Sequence, residues 1–205
     1  MRDAMPVPVP PQPGPSPRQG PFRPIATQDL SRFPRPVIAG NRRFGWRAAW
    51  YLVNALFFQS SLFALIPSRA KAAILRGFGA KVGPGLVCKP RVTIKYPWLL
   101  EIGAHVWLGE RVWIDNPGPV RIGAHVCISQ GVRIVTGSHD WARGDFRFFA
   151  RPIEIGDSAW VTAHRVLRPG AIVPPRVVVL GDVSAGDGRG PRAASDGVSS
   201  EGGVR

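Results

Sequence analysis

Acidic residues are scarce in this chain. Thirteen Asp and Glu stand against 27 Lys and Arg, a formal net charge of +14 over 205 residues. None at all occurs between Leu30 and Leu100, a span that holds 12 basic residues. Such one-sided charge implies a polyanionic neighbour such as lipid headgroups or pyrophosphates, or else a solvated cationic face. Cysteine is nearly missing too. Cys88 and Cys127 are too few for a disulfide framework or a thiolate metal site, and they read as small apolar residues of a reducing cytosol. Nor is there an unbroken apolar run. Ala48 to Ile66 is 19 residues without a charge, but Asn54, Gln59, Ser60 and Ser61 interrupt it. Three readings of that run stay open: an interfacial helix on the cytoplasmic leaflet, which the flanking basic residues favour, a helix packed on the end of the domain, and a membrane span. Proline stands where a signal peptide would carry its apolar segment, so no cleavable leader is expected.

What is abundant is a six-residue rhythm. The stretch IGAHV occurs at Ile102 to Val106 and again at Ile122 to Val126. Apolar residues recur at Val82, Cys88, Ile94, Ile102, Leu108, Ile114, Ile122, Ile128 and Ile134, and then at Ile155, Val161, Leu167, Val173 and Val179. In a chain that is 44% hydrophobic, chance fills 14 such positions about once in 10^5 registers. A helix would repeat every three or four residues. A period of six suits a chain that turns a corner after each short strand, with three faces making a coil of about 18 residues. The expected fold is therefore mainly β, a parallel β-helix of hexapeptide repeats over 81–184, preceded by a short basic and hydrophobic helical segment at 29–80. The Pro-rich residues 1–28 and the polar tail 185–205 read as disordered. Gly83, Gly103, Gly109, Gly123 and Gly156 follow inward residues and read as corners that need unusual backbone angles. Two longer steps fall at Tyr96-Pro97-Trp98 and Asn116-Pro117-Gly118-Pro119, both turn-like. Between Ile134 and Ile155 about 15 residues are extruded as a loop, 138–154, and loops on repeat scaffolds are where function tends to lie.

Four histidines are the candidates for chemistry. His105 and His125 hold the same place in successive coils and should stack about 5 Å apart, the strand spacing. They read as exposed corner residues rather than metal ligands, and so does His164. His139 differs, because it sits at the mouth of the extruded loop between Ser138 and Asp140.

The segments DLSRF (29–33), WYLVNALFFQSSLF (50–63), KPRVTIKYPWLLEIGAHVWLGERVWIDN (89–116), VCISQGVRIVTGSHDW (126–141) and RPIEIGDSAWV (151–161) resemble the colanic acid biosynthesis acetyltransferases, over about two-thirds of the chain. The resemblance implies a left-handed β-helix, acetyl-CoA as co-substrate, no metal, and O-acetylation of a sugar during exopolysaccharide assembly. It implies His139 as general base, with Asp140 and Asp115 as alternatives for orienting the imidazole. It implies that Trp160 begins the coil edge along the pantetheine arm, where Thr162 and Ala163 offer backbone amides. Asp115, Asn116, Asp140 and Trp141 are the candidates for contact with the acceptor, although Asp115 and Asn116 read equally as turn formers and Trp141 as a loop anchor. The implied active unit is a homotrimer. The implied acceptor is a sugar; the basic, apolar N-terminal helices would be explained by a lipid-linked oligosaccharide, met in the cytoplasm with peripheral contact to an anionic membrane. No nucleic acid is expected, since the basic residues are interleaved with an apolar helix rather than laid along a groove. The C-terminal part departs from the family: Arg165 replaces a small residue, Pro174 and Pro175 replace a Gly-containing corner, and the usual closing tail is absent. That departure keeps alive an impaired member acting as a scaffold. A metal-dependent hexapeptide enzyme is the remaining alternative.

Overall fold

The computed structural model describes residues 27–34, 36, 38, 40, 42–60 and 66–185. Apart from 27, 28 and 185, the segments expected to be disordered lie outside the described residues.

From Lys81 the chain winds into a parallel β-solenoid of five coils, consistent with a left-handed β-helix. One face stacks Lys81–Val82, Leu100–Ile102, Val120–Ile122, Ile153–Ile155 and Ile172–Val173. A second stacks Val87–Cys88, Trp107–Leu108, Cys127–Ile128, Trp160–Val161 and Val178–Val179. The third stacks Thr93–Ile94, Trp113–Asp115, Arg133–Val135 and Val166–Leu167, and closes with a bridge from Leu167 to Val183. Ile102, Ile122, Ile155 and Val173 pair in one line, so equivalent residues stack in register. Of the 14 rhythmic positions, all are buried except Val82, which packs partly buried against the core at the first coil.

A second inward register lies two residues before the first. Leu86, Val92, Leu100, Val106, Val112, Val120, Val126, Val132, Ile153, Ala159 and Ala171 are all buried there. Each face thus contributes two side chains to the prism. Arg165 falls in this second register, stays half-buried, and turns its Nε to the Ala163 carbonyl at 3.0 Å. The departures at Arg165, Pro174 and Pro175 do not break the winding, because Val173 and Val179 remain buried and the fifth coil pairs on all three faces.

The glycine expectation needs correcting. The glycines after the inward residues do not have positive φ. They are required by close approach: a Cβ on Gly103 would lie 2.6 Å from the Ala124 nitrogen of the next coil. The left-handed corner instead falls three residues after the inward position, at His105 (φ 55°), His125 (58°) and His164 (61°), and at Arg91, Arg111, Ser158 and Arg176. A corner that turns the chain through the left-handed region at a small conformational cost explains why these histidines are exposed. His105 and His125 stack at 5.2 Å.

The first coil presents an open strand edge, whose unpaired backbone groups need partners. Two helices supply them. These are α1 (Phe44–Val53), which runs on as a π-turn (Asn54–Gln59), and α2 (Ser68–Gly77). At Cys88, the Ser68 hydroxyl accepts from the backbone N–H (2.9 Å) and the Lys71 ammonium donates to the carbonyl (3.1 Å). At Ile94, Asn54 Oδ1 accepts from the N–H (3.5 Å) and the Trp50 indole N–H donates to the carbonyl (2.9 Å). Arg76 donates to the Val82 and Gly83 carbonyls at 2.9 and 3.1 Å. Trp50, Asn54, Phe58, Lys71, Ala72 and Leu75 are buried by this docking. The apolar run from Ala48 is therefore an end cap on one side, rather than free for a membrane on both. Burial also pushes the Cys88 thiol up to about 11, against the pull of Lys71, which marks it as a packing residue.

Lys71 is the sharpest test of the cap. Lys71→Ala leaves the Cys88 and Lys89 carbonyls unpartnered in the interior and should lower stability by about 1–3 kcal/mol in urea unfolding. Arg69→Ala, two residues away and exposed, should stay within about 0.5 kcal/mol.

Candidate active site

The extruded segment is not an irregular loop throughout. It folds into an antiparallel hairpin, Gly137–His139 against Phe148–Ala150, in which His139 pairs with Phe148. The hairpin tip is braced by its own polar groups. The Asp140 N–H donates to the Arg147 carbonyl (2.9 Å), and Arg143 holds Asp145 through two 3.0 Å contacts. The turn ends at Phe146 with φ +47°, a conformation bulky side chains rarely adopt.

That strained residue positions the imidazole. His139 Nδ1 lies 2.9 Å from the Phe146 carbonyl oxygen, and the Phe146 ring stacks on the imidazole at 4.3 Å and 6°. A carbonyl only accepts, so Nδ1 carries the proton and the neutral ring keeps its lone pair at Nε2. Phe148 meets the ring edge-on at 5.5 Å, and Phe33 leans against it at 5.3 Å. His139 is half-buried and lines a cleft of about 290 Å³ with Pro36, Ile38, Lys95, Tyr96, Asp115, Pro117, Gly137, Ser138 and Phe148.

Neither expected orienting carboxylate bonds the imidazole. Asp140 Oδ1 accepts from the Ala142 N–H at 3.1 Å and so shapes the turn. Asp115 lines the cleft, paired with Lys95 at 2.9 Å. Asn116 is 0% exposed: its Oδ1 accepts from the Tyr96 N–H (3.1 Å) and its Nδ2 donates to the Tyr96 carbonyl (2.8 Å). It staples one coil to the previous one and has no exposed atom for an acceptor, so the turn-former alternative describes it. Trp141 is half-buried beside Asp140.

The remaining predicted residues lie on the second face, apart from this cleft. Trp160 is 48% exposed there, with its indole N–H on the Ser129 hydroxyl at 2.9 Å, and it shares a row with Trp107 and Cys127. The Thr162 N–H and hydroxyl both donate to the Val179 carbonyl, at 3.3 and 2.7 Å. That amide is committed to the coil ladder. Among the described residues the Ala163 N–H makes no backbone hydrogen bond to a neighbouring coil. A shallow groove of about 530 Å³ runs along this face between Trp107, Cys127, Ser129 and Gln130. Among the described residues no three His, Cys, Asp or Glu side chains converge as metal ligands.

Sequence reading missed three participants. The Phe146 carbonyl left no trace, because backbone strain at a non-glycine residue has no sequence signature. Phe33 and its neighbours Pro36 and Ile38 come from a segment more than 100 residues away, which is tied to the hairpin by the Asp29 N–H on the Gly144 carbonyl (3.1 Å). Tyr96 hides in a turn motif. Its hydroxyl is pushed up to about 12, by burial first and by the electrostatic influence of the neighbouring Tyr51 second.

Comparison with known proteins fits this geometry. The WcaF protein of Escherichia coli (strain K12), which carries the name of a colanic acid biosynthesis acetyltransferase, is 40% identical over 159 residues, covering 74% of this chain and 82% of its own. The chain belongs to the colanic acid biosynthesis acetyltransferase family. Shigella flexneri WcaF matches to the same extent. No family model matches the chain. Among solved structures, the hexapeptide-repeat acetyltransferase VCA0836 of Vibrio cholerae O1 biovar eltor, complexed with acetyl coenzyme A, superposes with a TM-score of 0.57 at 22% identity, covering 68% of this chain and 78% of its own. A galactoside acetyltransferase in complex with coenzyme A gives 0.54 at 20%, covering 68% and 72%. At that identity they support the fold, and the family membership rests on WcaF.

If Asn116 is a staple, Asn116→Ala should cost about 1–3 kcal/mol in thermal or urea unfolding, because a buried N–H and a buried carbonyl lose their partners. Asp140→Ala, which loses one bond in a half-buried turn, should cost less than about 1 kcal/mol.

Proposed function

We propose that this family member transfers an acetyl group from acetyl-CoA to a sugar hydroxyl in exopolysaccharide assembly, with His139 as the general base. The observation that carries the reading is the 2.9 Å contact between His139 Nδ1 and the Phe146 carbonyl, which leaves Nε2 as the basic atom of a ring lining a cleft. A sugar hydroxyl is a poor nucleophile at neutral pH. Nε2 takes its proton as the oxygen attacks the thioester carbonyl carbon. The tetrahedral intermediate then expels the coenzyme thiolate, which receives that proton from the imidazolium. The products are the O-acetyl sugar and free coenzyme A, and the imidazole returns to its starting state.

Lys95 and Asp115 offer the acceptor a charged wall, and Pro36 and Ile38 an apolar one. The pantetheine arm lies along the second face, beside Trp160, with the Ala163 amide as its donor. That placement puts the thioester on a different surface of the chain from the His139 cleft, and a homotrimer brings the two together across neighbouring prisms. The intact fifth coil favours this active reading over an impaired scaffold, because the coil edge beside Trp160 is fully built. The reaction belongs in the cytoplasm, where acetyl-CoA is available, with the protein peripheral at the inner face of the membrane. No helix among the described residues is long and apolar enough to cross it.

Incubation with labelled acetyl-CoA and candidate sugars tests the base directly. His139→Ala should lower transfer by about 10^2–10^4-fold while the circular dichroism spectrum stays that of the folded protein. Undiminished turnover in a folded His139→Ala protein would remove the imidazole from the mechanism.

A further inference from the structure

The cap helix α1 is satisfied on one side only. Trp50, Asn54 and Phe58, spaced by four, bury against the first coil. Phe44, Ala48, Leu52 and Leu56, also spaced by four, form a stripe on another side, and the three large ones are 84%, 62% and 43% exposed. No charge interrupts the chain from Ala48 to Ser60. A stripe of this kind normally marks a surface that something covers.

The charges around it indicate what. Arg42 and Arg43 stand exposed at the head of the stripe, and neither forms an ion pair among the described residues. No Asp or Glu occurs between Leu30 and Leu100, so the segment that carries the stripe has no acidic side chain of its own to repel an anionic surface. An amphipathic helix with an apolar stripe and an all-cationic flank is the composition of a helix that lies in the headgroup region of an anionic bilayer. Position supports the same partner. Tyr51, at the edge of the stripe and 41% exposed, lies close enough to Tyr96 to raise the pKa of its hydroxyl, and Tyr96 lines the cleft that holds His139.

We propose that the Phe44–Leu56 stripe docks on the surface of an anionic lipid bilayer, with Arg42 and Arg43 among the headgroups. The same docking holds the His139 cleft beside the membrane. The acceptor chemistry that suits this placement is a sugar carried on a lipid anchor, a statement that rests on the acetyl-transfer reading, whereas the docking itself does not.

The test uses the full chain and sedimentation with vesicles of phosphatidylcholine, with and without phosphatidylglycerol. Wild type should bind the phosphatidylglycerol vesicles, and less so as salt rises. Leu52→Asp with Leu56→Asp, at exposed positions where folding is not at risk, should weaken binding by about tenfold or more. Arg42→Ala with Arg43→Ala should weaken it by about tenfold at low salt. Arg168→Ala with Arg176→Ala, exposed on later coils, should leave it unchanged. Absence of wild-type binding, or equal binding by folded stripe variants, would overturn the proposal. Vesicle binding without acetyl transfer would sink the catalytic reading and leave the docking standing, and transfer with unaltered stripe variants would do the reverse.

Discussion

The stacking of one coil on the next governs everything else in this molecule. Each coil donates its backbone N–H groups to the carbonyls of its neighbour, as in Gly103 to Ile122 and Gly123 to Ile155, both at 2.8 Å. That ladder is possible only if equivalent residues lie in register, and register is fixed by the inward columns, because a slip of one residue would turn the aliphatic side chains to solvent. Burying an aliphatic side chain contributes about 1.5–3 kcal/mol, so two inward registers in five coils outweigh the modest preferences of the exposed positions. The close approach at Gly103 and the left-handed corners at His105, His125 and His164 follow from the same constraint.

A stacked ladder has ends, and the N-terminal end explains the helices. Trp50, Asn54, Ser68, Lys71 and Arg76 are there to satisfy the edge of the first coil. A lysine buried without a carboxylate partner is unusual, yet its ammonium is answered by two carbonyls. The absence of acidic residues in this span becomes intelligible on that basis: the open edge offers carbonyl acceptors, and cationic donors meet them. The ladder also explains why the His139 imidazole sits on an extrusion. Within a coil, nearly every backbone group is committed, whereas the hairpin at Gly137–His139 and Phe148–Ala150 frees the Phe146 carbonyl to hold His139.

The prism was legible in the sequence because burial at every sixth residue leaves a direct record, and the singular placement of His139 in an extruded loop was legible for the same reason: it broke the period. The second inward register was harder to see, because Leu86, Val106 and Val126 are read as apolar residues without a phase of their own. Asn116 stayed open in the sequence because a buried staple and a sugar-binding amide have the same side chain, and its bonds to Tyr96 are visible only in the fold. The Thr162 amide could not be placed from sequence, because its strand position, not its type, decides whether it bonds to the next coil. The partner of His139 was invisible, since a carbonyl is common to every residue and only the φ of Phe146 aims it.

The account turns on the protonation of one ring. Nitrogen-15 spectra of the histidine-labelled protein, assigned by comparison with His139→Gln and recorded at alkaline pH where the ring is neutral, report the tautomer directly. The account predicts a protonated Nδ1 and an unprotonated Nε2 at His139, held against the Phe146 carbonyl. The opposite tautomer, with the proton on Nε2, would mean that the lone pair faces the carbonyl and that the ring is not the poised base described here.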